Sequence, residues 1–447
     1  MKSCHPSAAL FVTLATGLLA CEPASTGDGF TPDAGPAYGE ADGGGGTAAA
    51  PGVSSSAIVR EAAPDAPDAD LRALVASQNA FALSLFRAAA TPNTNALFSA
   101  FSVHQALSMA YAGARNKTRT AMTQVLGVSG DDVAFHRAQN ALDLRLENQP
   151  AGDETHPAPI FRIANTLFAQ TGLGLEAPFL DTLALNYGAG VGRVDYLADP
   201  EAARRSINGW VSDKTEGHIP ELLTAGQVGT DTRLTLVDAV YFLGQWATAF
   251  DPTWSYAQTF HGLGGVGDVQ APFMHRTLDL AAAVTDEAVV VELPYAGDSL
   301  SMQILMPKGD LAAFEATLTM ERLDTLLAGV TTEPTAIALP RFEMRVRSLL
   351  RQPLTTLGMG PAFGEADFSG ITTETGLGIT EVVHEAWMRV DEAGTEAAAA
   401  TAVLMDAGAT VEPDARAIAI DRPFLLLIRD RATGAILFDG RLSDPRG

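Results

Sequence analysis

The stretch Thr232-Arg-Leu-Thr-Leu-Val-Asp-Ala-Val-Tyr-Phe-Leu243 constrains this chain more than any other. It is almost continuously apolar over the length of a strand, the pattern of a strand covered on both faces. A chain carrying it must build a layer on each side of a sheet. Asp238 lies at its centre. A buried carboxylate without a partner is costly, so Asp238 must be hydrogen-bonded, ion-paired or protonated. Trp246 and Phe250 follow the strand directly.

Around this strand, the early chain reads as helical. Asp70–Ala90 has an apolar face at Leu74, Phe81, Leu83, Leu85 and Phe86 and stops before Pro92. Ser102 is placed to cap a helix over Val103–Ala114, which is apolar almost all round and therefore buried. Ser99 and Ser102 then sit at the edge of a core, where each hydroxyl needs a partner. Helices are also predicted at 118–126, 132–146, 176–187, 200–214, 310–328 and 348–357. Strands are predicted at 160–169, 269–274, 288–295, 299–306 and 336–344, with another over Thr380–Asp391. A terminal hairpin pairs 424–429 with 435–441. Helices first, strands later and no regular alternation of the two give an α+β fold.

The N-terminus is of a different kind. Lys2 and His5 precede the apolar run Ala8–Ala20, too short to span a bilayer, which takes about 20 residues. Residues 1–20 are therefore assigned to a signal peptide. The run ends Leu18-Leu-Ala-Cys21, which resembles the lipobox of bacterial lipoproteins, so Cys21 is expected to carry lipid at the mature N-terminus. The alternative is an ordinary secretory signal whose cleavage site lies near a Cys, but Cys21 is one of only two cysteines and sits where lipoprotein processing needs it. Cys4 falls in the discarded segment, and with no cysteine after position 21 the exported domain has no disulfide. Residues 21–66, rich in Gly, Ala, Pro, Ser and acidic residues, are read as a disordered tether, and 67–447 as the folded domain. A net charge of −24 argues against a nucleic-acid or anionic-membrane surface on that domain.

Enzyme signatures are missing from the sequence. There is no Gly-x-Ser-x-Gly elbow, phosphate-binding loop or dinucleotide fingerprint. His384-Glu385 has Met at 388, which breaks the zinc-protease pattern, and no metal or cofactor is expected.

One stretch remains, Glu392-Ala-Gly-Thr-Glu-Ala-Ala-Ala-Ala-Thr401. Thr395, Ala397, Ala399 and Thr401 make one period-two face consisting only of small side chains. Taken alone it reads as an alanine-rich surface loop, though it could equally enter a sheet without clashing with a core.

Over roughly residues 70–445 the chain resembles the serpin family. The motifs are Asn95-x-x-Phe-Ser-x-x-Ser102, Ala164-Asn165, Ile207-Asn-x-Trp-Val211 with Thr215, and Leu236-Val-x-Ala-Val-Tyr-Phe-x-Gly-x-Trp246. Leu339-Pro-x-Phe342, the stretch from Glu392 to Thr401, Pro423-Phe-x-x-x-Ile428 and Leu437-Phe-x-Gly440 complete the set. Ala100, Asp238 and Leu243 depart from the family's usual Pro, Asn and Lys.

The resemblance implies one domain of three sheets and about nine helices, a monomer with an exposed reactive-centre loop. In inhibitory members a serine or cysteine protease cleaves this loop, which then inserts into the main sheet and traps the acyl-enzyme. Glu392, Gly394, Thr395, Ala397, Ala398, Ala399, Ala400 and Thr401 would form the hinge, with the small face turned to the core. The family's spacing of about seventeen residues from Glu392 points to Gly408-Ala409 as the scissile bond, with Ala407 and Asp406 as alternatives. Small residues there suggest an elastase- or subtilisin-like target; Asp406 keeps an Asp-specific protease open, and Arg416 is too near the next strand for a trypsin-like one. Ser99, Ser102, Asp238, His384 and Trp246 match the region where the sheet opens. Asp238 is expected to accept a hydrogen bond from His384, with a charged pair at low pH. The alternative function is a non-inhibitory serpin that binds a partner or serves structurally.

Overall fold

The computed structural model describes residues 52–149, 159–263, 265–395 and 415–446. The signal segment, Cys21, and the loop positions Ala397, Ala398, Ala399, Ala400, Thr401, Asp406, Ala407, Gly408 and Ala409 lie outside the described residues.

The strands are β1 (Val53–Ser54), β2 (Ala96–Phe98), β3 (Ile160–Gln170), β4 (Val191–Val194), β5 (Leu234–Gln245), β6 (Tyr256–His261), β7 (Asp268–Val284) and β8 (Ala288–Pro294). They continue as β9 (Leu300–Pro307), β10 (Thr331–Pro340), β11 (Phe342–Leu349), β12 (Val382–Val390), β13 (Gly394–Thr395), β14 (Arg416–Ala419), β15 (Phe424–Asp430) and β16 (Ile436–Leu442). The helices are α1 (Asp68–Ala89), α2 (Ala100–Tyr111), α3 (Asn116–Leu126), α4 (Asp132–Glu147), α5 (Ala177–Tyr187), α6 (Pro200–Lys214), α7 (Leu311–Thr317) and α8 (Met320–Ala328). A kinked helical segment follows over 351–363, broken at Gly358.

The main sheet has seven strands in the order β1-β4-β3-β5-β13-β12-β11. The other strands form one nine-stranded network, β14-β10-β7-β8-β9-β15-β16-β2 with β6 on β7. The second and third sheets expected from the resemblance are joined here through β7, which pairs with β6 over 268–273, with β10 over 273–282 and with β8 over 281–284. Helix α2 lies between the layers, in contact with β3 and β5 of the main sheet and with β16 of the other. All of its residues are buried, as its apolar circumference requires. On the opposite face of the main sheet, α6 and residues 219–228 cover Ala164 and Phe168 of β3, Val237 and Ala239 of β5 and Val383 of β12. The strand read first from the sequence is thus covered on both faces.

Several elements differ in detail. The expected helix over 310–328 is two, because Thr319 caps a new helix by accepting from the Arg322 amide. At 348–357 the first residues are strand: Ser348 and Leu349 pair with His384 and Val383 before the helix begins. Ser99, not Ser102, caps α2, its hydroxyl accepting from the Ser102 amide at 3.3 Å.

The largest difference is at residues 52–66, expected to be tether. Val53 and Ser54 pair antiparallel with Gly192 and Val191 and become the outermost strand of the main sheet. Beyond them, Ser56 Oγ donates to Asp181 at 2.5 Å, and the Glu61 amide donates to Leu185 O at 3.0 Å. Arg60 reaches α4, donating to Asn140 Oδ1 at 2.8 Å and pairing with Asp143 and Glu147. The receiving surface is cut to fit. A Cβ on Gly190 would lie 2.8 Å from the Val53 side chain, and one on Gly188 would lie 2.9 Å from that of Arg60.

Candidate functional site

The main sheet has one seam. β5 and β12 run parallel and pair from Leu236–Val382 to Tyr241–Trp387. Above that point they part, and Gly394 and Thr395 lie between them, antiparallel to both: Thr395 opposes Val390 on β12 and Gly244 on β5, and Gly394 opposes Gln245. The first turn of the candidate hinge is therefore already in the sheet.

Several groups hold it there. The Trp246 amide donates to Ala393 O at 2.9 Å, the Trp246 indole to Asp391 O at 3.0 Å, and the Phe250 amide to Glu392 O at 2.8 Å. Trp246 itself stacks on Tyr295, with ring centroids 4.8 Å apart. Glu392 is buried; Ser255 Oγ donates to its carboxylate at 2.5 Å and the Arg341 guanidinium lies 3.5 Å away. Thr395 is fully buried, its hydroxyl 2.7 Å from the Tyr295 hydroxyl. Burial pushes the Tyr295 phenol upward, so it stays protonated as a hydrogen-bonding group. At Gly394 a side chain has no room: a Cβ would clash with Gly244 O and lie 2.7 Å from Gln245 Cα. Glycine here serves close approach of the hinge backbone to that of β5.

Lower in the seam, on the α2 side, lies a buried polar cluster. Asp238 is in register with Asn165 on one side and His384 on the other. Its carboxylate accepts from His384 Nδ1 and, at 2.5 Å, from Ser102 Oγ. The backbone amide of Ser99 donates to His384 Nε2 at 3.1 Å. Asn165 closes the ring, donating to Ser102 O at 2.8 Å. Ser99, Ser102, Asp238 and His384 are all fully buried. This arrangement satisfies the carboxylate that the sequence left without a partner. It also assigns the imidazole tautomer: Nε2 accepts, so Nδ1 carries the hydrogen.

The cluster thus brings Ser99, Ser102, Asp238 and His384 together, whereas Trp246 is placed at the upper end, under the hinge. Tyr295, Ser255 and Arg341 carry hinge contacts that sequence reasoning missed. Tyr295 ends a predicted strand, but nothing local marks its partner one hundred positions away. Arg416 begins β14 with its guanidinium on Leu280 O, Ala282 O and Thr335 Oγ1, which removes it from the accessible loop. Among the described residues no group of three His, Cys, Asp or Glu could hold a metal, and no helix is long and apolar enough to cross a membrane.

The serpin (serine protease inhibitor) family profile matches residues 76–445. A serpin-like protein of Thermococcus kodakarensis is 36% identical over 370 residues, covering 82% of this chain and 85% of the relative. Human serpin B8 is 35% identical over 381 residues, covering 83% of this chain and 99% of the relative. Among solved structures, human thyroxine-binding globulin in complex with thyroxine superposes with a TM-score of 0.75 at 28% identity, over 85% of this chain and all of the other. On its strand order and these matches, the chain belongs to the serpin family.

Proposed function

We propose that this protein is an irreversible suicide inhibitor of serine proteases, or of cysteine proteases using the same acyl chemistry. Members of its family are generally protease inhibitors rather than enzymes. The observation that carries the proposal is Gly394–Thr395 lodged antiparallel between two parallel strands. Where a strand enters this seam, one parallel ladder is replaced by two antiparallel ones, each residue gaining backbone hydrogen bonds worth about 1 kcal/mol net. For some ten residues that is on the order of 10 kcal/mol. The sequence that follows can make the journey, since Ala397, Ala399 and Thr401 continue the small face begun by Thr395.

In this mechanism the protease's serine oxygen attacks the scissile carbonyl, at Gly408-Ala409 or at its neighbours Ala407 and Asp406. The amine of the following residue leaves, and an ester joins the loop to the enzyme. Insertion then carries the acyl-enzyme along the seam and distorts it before water can cleave the ester. Small residues at the scissile bond favour an elastase- or subtilisin-like target. The apolar run ending at Cys21 supports export and lipid anchoring to a bacterial membrane, at the cell surface or in the periplasm.

Incubating the full chain with a panel of serine and cysteine proteases tests this reading. A covalent complex surviving a denaturing gel is expected with at least one elastase- or subtilisin-like enzyme, and mass spectrometry of the released fragment locates the bond. Cleavage by every member without a complex would instead indicate a binding or structural serpin, binding being what the thyroxine complex of thyroxine-binding globulin suggests.

A further inference from the structure

The seam ends at one residue pair, Tyr241 of β5 opposite Trp387 of β12. Above this pair the strands part; below it they are paired. Both side chains project to the α6 face, as Val237, Ala239 and Val383 do along the same strands. The segment that follows α6 crosses the sheet there. Its residue His218 lies parallel to both rings, with centroids 4.8 Å from Tyr241 at an interplanar angle of 7° and 4.7 Å from Trp387 at 22°. One imidazole therefore touches both sides of the seam at the first rung that an entering strand must break.

The crossing segment is anchored beyond that point on each side. At its start Thr215 Oγ1 accepts from the Ile219 amide at 3.1 Å and donates to Val211 O at 2.8 Å, fixing the turn that presents His218. Further on, Leu222 O accepts from Arg347 of β11 at 2.7 Å, and Asn208 of α6 bonds both the amide and the carbonyl of Leu223 at 2.8 Å. Ile219, Leu222 and Leu223 are buried in the same apolar cluster as Val237, Ala239 and Val383. The segment is thus tied to α6, to β5, to β12 and to β11. Parting β5 from β12 pulls Tyr241 away from Trp387, and the ring stacked on both cannot follow both.

We propose that His218 is a clasp across the seam, and that loss of its two ring stacks is part of the barrier to strand entry. This rests on the insertion reading above and adds a residue that positions the seam before the loop arrives. The clasp favours the uninserted state without touching the hinge, so it controls the rate of entry and leaves the first inserted residues, Gly394 and Thr395, where they are.

The test uses the full chain with no protease. Uptake of a synthetic peptide copying residues 395–406 by the intact protein reports seam opening directly. His218→Ala should take up the peptide about tenfold faster than the unsubstituted protein, equivalent to about 1.4 kcal/mol of barrier. His218→Phe, which keeps a flat ring over Tyr241 and Trp387, should remain within about twofold. Equal rates for the Ala variant and the unsubstituted protein, or no uptake by either, overturn the clasp. So does a Phe variant as fast as the Ala variant. The insertion reading fails separately, if loop cleavage of the unsubstituted protein leaves its melting temperature unchanged.

Discussion

Thr395 is the residue on which the proposed insertion turns. Its side chain is buried against Tyr295 and leaves no space for a charge or a long stem. Thr395→Arg should therefore leave the loop cleavable while abolishing the gel-stable complex, turning an inhibitor into a substrate; a complex that still forms would refute the buried-hinge account. Tyr295→Phe removes one hydrogen bond and little volume, so a loss of about 1 kcal/mol is expected in chemical denaturation. Asp238 accepts from His384 on one carboxylate oxygen and from Ser102 on the other, and an amide places an oxygen at only one of those two positions. Asp238→Asn should thus lower stability by about 1–2 kcal/mol at neutral pH, measured in the same way. A second buried acid, Asp439, acts in the opposite sense. Burial raises its carboxyl well above the ordinary range, more than the amides of Ala100 and Asp439 itself lower it. The folded state holds this proton more tightly than the unfolded chain does, so ionisation in the unfolded chain works against folding as pH rises above about 3.8. Asp439→Asn removes that penalty and should raise the melting temperature at pH 7, the gain fading as pH falls towards 4.

At the scale of elements, the segment from Gly52 to Ala66 ties the outer edge of the main sheet to α4 and α5. Arg60→Ala in the full chain should speed amide exchange along β4 at Val191 and Gly192, where Val53 and Ser54 pair; unchanged exchange would mean the strand holds without its anchor. This segment was not legible in the sequence. Two paired residues carry no periodicity, and a Gly-, Ala- and Ser-rich approach has the composition of a linker. What was legible had long-range consequences written locally. The continuous apolar pattern of β5 showed a doubly covered strand, and Thr395, the first residue of the small alternating face after Glu392, lies in the sheet. The hidden parts depend on partners distant in the chain. Ser255 and Arg341 meet Glu392 only once β6 and the turn between β10 and β11 have folded around the hinge. Ser102 looked like a cap because the rule for caps is local, whereas its hydroxyl is committed to Asp238 across the core.

For the whole molecule, stability without disulfides rests on packing and on buried polar groups kept in one protonation state. His104 and His136 are buried, and burial lowers each from 6.5 to about 4. Both fold neutral, while in the unfolded chain they take up protons below about pH 6.5, so the unfolded state binds more protons between 6.5 and 4. Stability should fall across that window as pH drops, by up to the order of 3 kcal/mol for each histidine, and urea denaturation at pH 7 and pH 4.5 would measure it. Above pH 6.5 these two groups contribute no slope. The central claim concerns a larger difference, that the intact fold lacks a strand which its own loop supplies. Calorimetry of the full chain before and after a single cut in the loop beyond Thr401 measures it most directly. Insertion of about ten residues predicts a melting temperature higher by more than about 15 °C in the cleaved protein. An unchanged or lower melting temperature after the cut would contradict the account.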